Sequence, residues 1–221
     1  MALIFFRRVG FFTLAVMFLT IAGLSAWHGI SAARADAMSL QARWQVEQWR
    51  SGKRASLTTA KWEEIKKTLQ SALEVTPHNA QLHDDLAYLY AMRALGMGTP
   101  VAGSKNYILK QLLLENAITN FRLSTKLRPT FPYSWAYLAF SQHQAGQSLV
   151  NVLPAFDKAL QYGNTEQNVR LVLAKIAFDN WQEMDAERKN RLIKMIEHST
   201  PDAQKTLKKM AANQAIELTQ R

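Results

Sequence analysis

Three segments of this 221-residue chain share one spacing of apolar, small and helix-ending residues. In each segment a first apolar or small residue is followed after four positions by a larger apolar one, after three more by a small one, and after five more by Pro or Asn. The residues are Ile65, Leu69, Ala72 and Pro77; Ala117, Phe121, Ser124 and Pro129; and Val152, Phe156, Ala159 and Asn164. Positions three and four apart share one helix face, a small residue lets a second helix approach closely, and Pro or Asn ends the helix. The spacing therefore predicts a repeated helical unit.

The rest of the chain also predicts helices and no strands. Apolar residues recur three and four apart, and no alternation of apolar and polar residues punctuated by glycine is found. Two helix starts are marked: Asn164 has Gln167 three residues later, and Thr200 precedes Pro201. The fold class is predicted to be all-α.

A further helix precedes two of the repeated units, in LHDDLAYLY (82–90) and SWAYLAFSQHQAG (134–146). Together, residues 60–181 resemble the tetratricopeptide pattern W-x₂-L-G-x₂-Y … A-x₃-F … P. The repeats are degenerate, because Ala replaces the Gly throughout, His83 replaces the early Trp in one unit, and Gln142 replaces the Tyr in another. The resemblance implies a solenoid of antiparallel helix pairs that binds ligands on its concave face and performs no chemistry.

The resemblance also implies which residues would face that concave groove. The first helix of each pair lines the groove, and the outward stripe on these helices is the set of candidate binding residues. They are Asp84, Tyr88, Met92, Tyr133, Phe140, His143, Lys175 and Phe178. An aromatic groove of this kind would suit an extended peptide or a sugar chain. The alternative is that the aromatic residues pack between helices.

The amino-terminal segment predicts a membrane helix. The basic pair Arg7 and Arg8 precedes a stretch, Val9–Trp27, that has no charged residue. About 20 such residues in an α-helix cross the hydrocarbon layer, since every backbone amide is bonded within the helix. The alternative is a cleaved signal peptide with a small-residue processing site at Ala33–Ala35.

The predicted organisation follows from this segment. Residues 1–35 form the basic flank and transmembrane anchor, or the signal peptide, and residues 36–221 form the tetratricopeptide-like helical domain. A short basic amino terminus before the first apolar segment usually stays inside the cell. The expected location is the bacterial inner membrane, with a single pass and a periplasmic carboxy-terminal domain.

The composition bears on partners and chemistry. A net charge of +10 favours anionic partners, and an anionic polymer or lipid headgroups are candidates. The basic stretch Glu187–Lys194 has no aromatic residue for stacking on bases, so no nucleic-acid partner is expected. There is no cysteine, no H-E-x-x-H motif and no G-x-S-x-G motif. We therefore predict no catalytic site, no metal site and no cofactor, and a protein that is not an enzyme.

One stretch, GMGTPVAGSK (96–105), superficially resembles a phosphate-binding loop. In a true loop of that kind, a strand precedes the glycines and Lys precedes Ser or Thr. Here a helix precedes them and the order of Ser104 and Lys105 is reversed. Residues 96–104 are instead expected to connect two helices, either as a flexible connector or as a mobile loop over the concave face.

The stretches RPTFPYSWAYLAFSQHQAG (128–146) and ALQYGNTEQNVRLVLAKIAFDNW (159–181) are also similar to bacterial accessory proteins of exopolysaccharide biosynthesis, the VpsP-like group. This resemblance implies a scaffold that contacts envelope proteins, including polysaccharide assembly machinery. Two alternatives stay open. One is a scaffold of a pilus or secretion apparatus, and the other is a periplasmic glycan-binding protein.

Overall fold

The computed structural model describes residues 2–52 and 58–218, with side chains from Thr13 onward in the first helix. The predicted basic flank, Arg7 and Arg8, therefore lies outside the described side chains. Across the described residues the chain forms nine α-helices and no β-strand, which confirms the all-α prediction. The helices are α1 (Ala2–Arg50), α2 (Thr59–Val75), α3 (Ala80–Leu95), α4 (Lys105–Leu127), α5 (Pro132–Gln144), α6 (Leu149–Tyr162), α7 (Gln167–Asp179), α8 (Ala186–Glu197) and α9 (Pro201–Ala212).

The helices form a solenoid with an inner and an outer row. Each helix packs on the next one along the chain. Contacts that skip one helix, among the described residues, join only α1 to α3, α3 to α5, α5 to α7 and α7 to α9. The odd-numbered helices therefore form the inner row, which is the crowded side of a curved stack, and the even-numbered helices form the outer row. This is the architecture expected of stacked helix pairs.

The residues with the repeated spacing lie on the outer helices α2, α4 and α6 and pack into the core. The small residues Ala72, Ser124 and Ala159 are completely buried, and Phe121 and Phe156 are among the largest fully buried side chains. The helix-ending residue of each unit lies two positions beyond the last residue of α2, α4 or α6. Local spacing thus fixes both the packing face and the end of each outer helix.

The helix starts agree with the sequence at one marked position and differ at the other. Thr200 is the residue before α9, and Pro201 is its first residue, as predicted. The capping role predicted for Asn164 is wrong, because Glu166 precedes α7 instead. The backbone carbonyl of Asn164 accepts a hydrogen bond from Arg170 Nε, which keeps Asn164 in the turn between α6 and α7.

Helix α1 continues without interruption from the apolar segment into the solenoid. Its buried residues begin at Ala35 and recur three and four positions apart up to Trp49, which is the pattern of a helix packed on one face. From Thr13 to Arg34 no side chain is buried. The helix is long and apolar enough to cross a membrane, and a signal sequence would have the same properties. The division of the chain after residue 35 stays a prediction, and it falls where the helix begins to pack.

Candidate functional site

The inner row encloses a cavity of about 270 Å³ near the carboxyl end of α1. Helices α1, α3, α5 and α7 all contribute to its wall, together with the turn that precedes α5. We call this surface the inner groove. It lies on the concave side of the solenoid, where the sequence predicts binding.

A buried carboxylate, Asp84 of α3, organises the polar part of the inner groove. Ser134 Oγ donates to its two oxygens at 2.7 and 2.9 Å, and Arg128 forms an ion pair with it. The Arg128 guanidinium also lies 4.1 Å from the centre of the Phe131 ring. Burial raises the pKa of Asp84, although the Ser134 hydrogen bond and the charge of Arg128 oppose the shift. Asp84 thereby fixes α4–α5 turn residues against α3.

The neighbouring carboxylate, Asp85, joins α3 to α1. Arg50 Nη2 donates to Asp85 Oδ1 at 3.1 Å, and Arg43 Nε lies 3.4 Å from Asp85 Oδ2. Gln81 Nε2 donates to the same Oδ1 at 3.0 Å. Arg50 is also paired with Glu47 at 3.1 Å. Two arginines of the first inner helix are therefore paired with carboxylates, and the charged side chains that line the groove, Glu47, Arg50 and Asp84, include both signs.

Aromatic rings form the apolar part of the inner groove. Tyr137 of α5 packs edge-to-face on Tyr88 with 5.4 Å between ring centres, and it stacks on Phe121 at 6.0 Å. The Arg50 guanidinium lies 4.8 Å from the centre of the Tyr88 ring. These contacts hold the rings in defined orientations, as aromatic pairs in cores do. The groove thus offers a pre-formed aromatic floor.

Tyr133 connects the inner groove to α7. Its hydroxyl donates to Glu166 Oε2 at 2.7 Å, and its ring lies 5.4 Å from that of Phe131. Partial burial, followed by the hydrogen bond and charge of Glu166, raises the pKa of Tyr133 to about 12. The phenol therefore stays protonated at neutral pH and can act there as a hydrogen-bond donor.

The candidate groove residues from the sequence fall into three groups in the structure. Asp84 and Tyr133 line the inner groove, and Tyr88 contacts two of the side chains that line it. Met92 and Phe140 are half-buried against the hydrophobic core, and Phe178 is buried in it. His143 and Lys175 lie farther along the inner row. The binding role assigned to these residues stays a prediction.

His143 and Lys175 meet at one carboxylate. His143 Nε2 lies 3.0 Å from Asp179 Oδ2, and Lys175 Nζ donates to Asp179 Oδ1 at 2.6 Å. Gln214, after α9, donates to the same Oδ1 at 3.0 Å. Burial alone would raise the pKa of Asp179, but the hydrogen bonds from Lys175, His143 and Gln214 lower it. This cluster joins α5, α7 and the end of the described chain.

Several residues of the inner groove were not predicted from the sequence. Glu47 and Arg50 come from α1, Tyr137 from α5 and Asn168 from the first turn of α7. The signal available in the sequence is the spacing of Ala42, Val46 and Trp49, which lie four and three positions apart as on one face of a packed helix. Extending the repeat before residue 60 would have placed Arg50 on the groove side.

The loop at 96–104 joins α3 to α4, as predicted from its position between two helices. Ser104 caps α4 by accepting a hydrogen bond from the Tyr107 amide, and Lys105 is the first residue of that helix. Lys110 Nζ donates to the Gly98 carbonyl at 2.6 Å.

Within the described residues no three His, Asp or Glu side chains are grouped as a metal site would require. The absence of enzymatic activity stays a prediction.

Comparison with known proteins identifies the fold. No family model and no curated protein matches the chain. A monomeric mutant of IFIT1 with m7Gppp-AAAA is similar in structure, with a TM-score of 0.61 and 16% identity over 80% of this chain. A second monomeric mutant with Gppp-AAAA has a TM-score of 0.60 and 18% identity over 79% of this chain. The human IFIT1 dimer with PPP-AAAA has a TM-score of 0.55 and 18% identity over 80% of it.

These similarities define the class of the protein. The chain spans 38% to 39% of the length of those IFIT1 chains. IFIT1 contains tetratricopeptide repeats, and at this level of identity the likeness shows the fold. The chain therefore has an all-α, tetratricopeptide-like helical-repeat fold.

The same comparison corrects one expectation from the sequence. Nucleic acid was excluded as a partner, but the similar structures are of IFIT1 with capped or triphosphate RNA. The exclusion depended on one basic stretch, Glu187–Lys194, that has no aromatic residues. The aromatic residues that this stretch lacks are present on the inner helices, where the rings of Tyr88, Tyr133 and Tyr137 lie together. The exclusion is wrong.

Proposed function

We propose that this protein is a membrane-anchored scaffold that holds an extended segment of a partner protein in the inner groove. The observation that carries this proposal is the continuity of α1. One helix includes the exposed apolar segment and, at its carboxyl end, Glu47 and Arg50 of the groove wall. A partner bound in the groove would therefore be held at a fixed distance from the bilayer.

The composition of the inner groove supports a peptide as its occupant. The aromatic floor around Tyr137 suits an apolar side chain, while Asn168 and Ser51 at the rim are exposed and offer hydrogen bonds to a peptide backbone. The cavity of about 270 Å³ is close to the lower limit for small-ligand pockets, so one or two side chains of a longer segment would fill it. Recognition would thus be by shape and by a few polar contacts.

The proposed location is the bacterial inner membrane, with one pass and the solenoid in the periplasm. An uncleaved anchor is supported by α1, which continues through Ala33–Ala35 and has Ala35 completely buried. Cleavage after Ala35 would remove the first buried residue of this helix. The short basic amino terminus supports the orientation.

The process that we propose for this scaffold is exopolysaccharide assembly or export, with envelope proteins as its partners. The similarity of residues 128–146 and 159–181 to the VpsP-like group is what supports it. A pilus or secretion scaffold and a periplasmic glycan-binding protein are the alternatives. The identity of the captured partner distinguishes them.

Photo-crosslinking from the groove tests the scaffold proposal. A photoreactive amino acid replaces Asn168 in the inner groove or, as the control, Val150 on the outer helix α6; both side chains are exposed. We expect the full-length protein in cells to form a discrete adduct from position 168 and none of the same mass from position 150. Mass spectrometry should then locate the crosslink in one segment of the partner. Equal capture from both positions would argue against a groove.

The mass-spectrometric identity of that partner tests the proposed role in exopolysaccharide assembly or export. Glycosyltransferases, polymer flippases or export channels would support the polysaccharide role. Pilus or secretion subunits would replace it with the first alternative. Retention of acidic polysaccharide, with no protein adduct from position 168, would favour the glycan-binding protein.

RNA is a second candidate ligand, favoured by the net charge of +10 and by the RNA in the similar IFIT1 structures. Purified full-length protein in detergent would be titrated with a 5′-triphosphate oligoadenylate and with the same oligonucleotide lacking the triphosphate. Binding that persists at physiological salt and requires Tyr137 would support this candidate. Binding that disappears as salt is raised and is equal for both probes would indicate non-specific electrostatic attraction.

A further inference from the structure

A second cleft, of about 600 Å³, lies between the α6–α7 turn and α8. Its wall includes four basic side chains and no carboxylate. They are Arg170, Arg191, Lys194 and His198. We call it the α6–α8 cleft. It shares no lining residue with the inner groove. The cleft is lined by basic side chains without an acidic one, whereas the inner groove has both.

Arg170 is the centre of the α6–α8 cleft. Its side chain is buried, with 7% of the residue exposed. Its Nε donates to the Asn164 carbonyl and its Nη1 donates to Ser199 Oγ at 2.8 Å. None of these partners carries a negative charge, and no carboxylate of the described chain lies within ion-pair distance of Arg170. A buried cation without a counter-ion is costly, so an anion that entered the cleft would be stabilised.

Arg170 is the most buried arginine of the described chain, and it has no carboxylate partner there, like the half-buried Arg93 and Arg191. Arg50, Arg128 and Arg188 each have a carboxylate partner on another helix. In these three arginines a carboxylate compensates the partly buried guanidinium, whereas the more deeply buried guanidinium of Arg170 has no such compensation. The missing charge at Arg170 is the one that a ligand would supply.

The remaining cations of the cleft are also available to an anion. Arg191 is half-buried and Lys194 is exposed, and neither has an ion-pair partner within the described residues. His198 Nδ1 donates to the Lys194 carbonyl at 2.7 Å, because a carbonyl can only accept. His198 Nε2 has no hydrogen bond in the described structure, and it can donate to an anion only when the imidazole is also protonated at Nε2. An anion at the centre of the cleft would thus meet donors from α7 and from α8.

The topology places the cleft at the edge of the solenoid that faces the apolar segment. Helix α1 enters from that segment, and α2 returns towards it, so the α2–α3 turn lies at the entry edge. Because the helices alternate in direction, the α4–α5, α6–α7 and α8–α9 turns lie at the same edge. The cleft is built from Asn164 and Thr165 of the α6–α7 turn and from the carboxyl end of α8. Under the proposed membrane anchorage, on which this step rests, that edge faces the bilayer.

We propose that the α6–α8 cleft binds the phosphate group of an anionic phospholipid, and so docks the far end of the solenoid on the membrane that anchors its first helix. Lys and Arg near an anionic leaflet are attracted to its surface. No Phe, Tyr or Trp lines the cleft, so it lacks the large aromatic rings on which bases and sugars commonly stack. Headgroup phosphate is the anion that the geometry places nearest.

The test uses the full-length chain in lipid nanodiscs. Because the chain has no cysteine, Thr165→Cys carries a single fluorophore at the cleft. Discs contain phosphatidylcholine alone or mixtures with phosphatidylglycerol, and both include a lipid with a quencher on its headgroup. We expect quenching to rise with the phosphatidylglycerol fraction. Arg191→Gln with Lys194→Gln should raise the fraction needed for half-maximal quenching about tenfold.

A matched variant separates the cleft from general charge. Lys67→Gln with Lys105→Gln removes the same charge from exposed positions of α2 and α4 that do not line the cleft, and it should leave the quenching unchanged. Equal effects of the two double variants, or no dependence on phosphatidylglycerol, would overturn the proposal. Binding of inorganic phosphate or of an oligoribonucleotide to the cleft, with no response to the lipid, would also overturn it and would name the source of the anion.

Retention of the chain in discs of neutral lipid tests the anchor separately. A chain that is retained but shows no lipid-dependent quenching refutes the cleft and leaves the anchor intact. If the chain is not retained, the anchor fails. The cleft is then judged by the binding of soluble short-chain phosphatidylglycerol, measured with the same fluorophore and the same two double variants.

Discussion

Tyr133 donates its hydroxyl to Glu166 at 2.7 Å, and this hydrogen bond joins the start of α5 to the residue that precedes α7. It links two inner helices that are not consecutive along the chain. The contact also affects the titration of the groove in alkali, because burial and the negative charge of Glu166 both raise the pKa of Tyr133.

Glu166→Gln should lower the pKa of Tyr133 from about 12 but leave it above the ordinary value for tyrosine, because burial is the larger cause. The folded pKa is above the unfolded one. The stability contributed by the protonated phenol is therefore fully present below about pH 10 and is lost as pH rises towards 12. Phenolate absorbance, taken as the difference between each protein and its Tyr133→Phe variant, measures this pKa. An unchanged midpoint in Glu166→Gln would show that the carboxylate does not contribute.

Asp84 should make the protein less stable as pH rises from about 4. Burial raises its folded pKa above the unfolded value, so between the two values the folded state binds more protons. Its favourable contribution is present at low pH and is lost as pH rises through the folded pKa. Chemical unfolding across this range should show that Asp84→Asn removes this slope.

Asp179 provides a control, because its pKa is shifted in the opposite direction from that of Asp84. Its folded pKa is lowered, so its contribution is present above the ordinary pKa and is lost as pH falls through the lowered one. Asp179→Asn should therefore remove a loss of stability on acidification. Difference curves of the same sign for the two variants would contradict the contacts assigned to one of these carboxylates.

Gly163 should not tolerate a side chain. A Cβ added there would lie 2.7 Å from Pro132 Cβ and 2.8 Å from Val169 Cγ1, so α5, α6 and α7 would have to separate. Gly163→Ala is expected to cost about 1–3 kcal/mol in the free energy of unfolding. Gly96→Ala is the control, since its Cβ would meet only backbone oxygens at 3.4 and 3.6 Å. Equal stability of the two variants would contradict the close approach at Gly163.

Local features of the fold could be predicted from the sequence. The spacing of Leu69 and Ala72, for example, depends only on one helix and its nearest neighbour, so a single segment contains the information. The start of α9 at Pro201 is equally local. The cap was predicted at Asn164, but the turn between α6 and α7 is two residues longer, so Glu166 precedes the helix. The contact of Arg170 with the Asn164 carbonyl, which lies in that turn, has no sign in the capping pattern.

The inner groove depends on contacts between distant segments, and the sequence therefore predicted it only in part. Asp84 and Tyr133 were found because the repeat pattern places them on inner helices. Arg50 was missed because its partner Asp85 lies 35 residues away on another helix. The phase of Phe178 could not be assigned in degenerate repeats, since an outward aromatic stripe and a buried one have the same helical spacing.

Arg188→Lys should weaken the contact between α8 and α6. Arg188 Nε donates to Asp157 Oδ1 at 2.9 Å while its Nη2 donates to Oδ2, and a lysine cannot make this paired contact. We expect a loss of about 0.5–1.5 kcal/mol in the free energy of unfolding. Arg122→Lys is the control, because Arg122 is exposed and has no ion-pair partner in the described residues. Asp157→Asn should cost a similar amount and should make Arg188→Lys nearly neutral.

The continuity of α1 predicts a rigid connection between the apolar segment and the solenoid. Spin labels on Ala32→Cys and Gln48→Cys should give a single narrow distribution centred on a backbone separation of about 24 Å, since a helix rises 1.5 Å per residue. Ala37→Pro, at an exposed position between them, should broaden and shift this distribution and cost about 3 kcal/mol.

A second labelled pair within α4, Asn106→Cys and Thr119→Cys, serves as the reference for that experiment. Its distance of about 20 Å should be unaffected by Ala37→Pro, because the break lies in a different helix. A broad or two-component distribution for the first pair in the otherwise unaltered chain would mean that α1 is interrupted. The apolar segment would then move independently of the groove, and a partner bound there would not be held at a fixed distance from the bilayer.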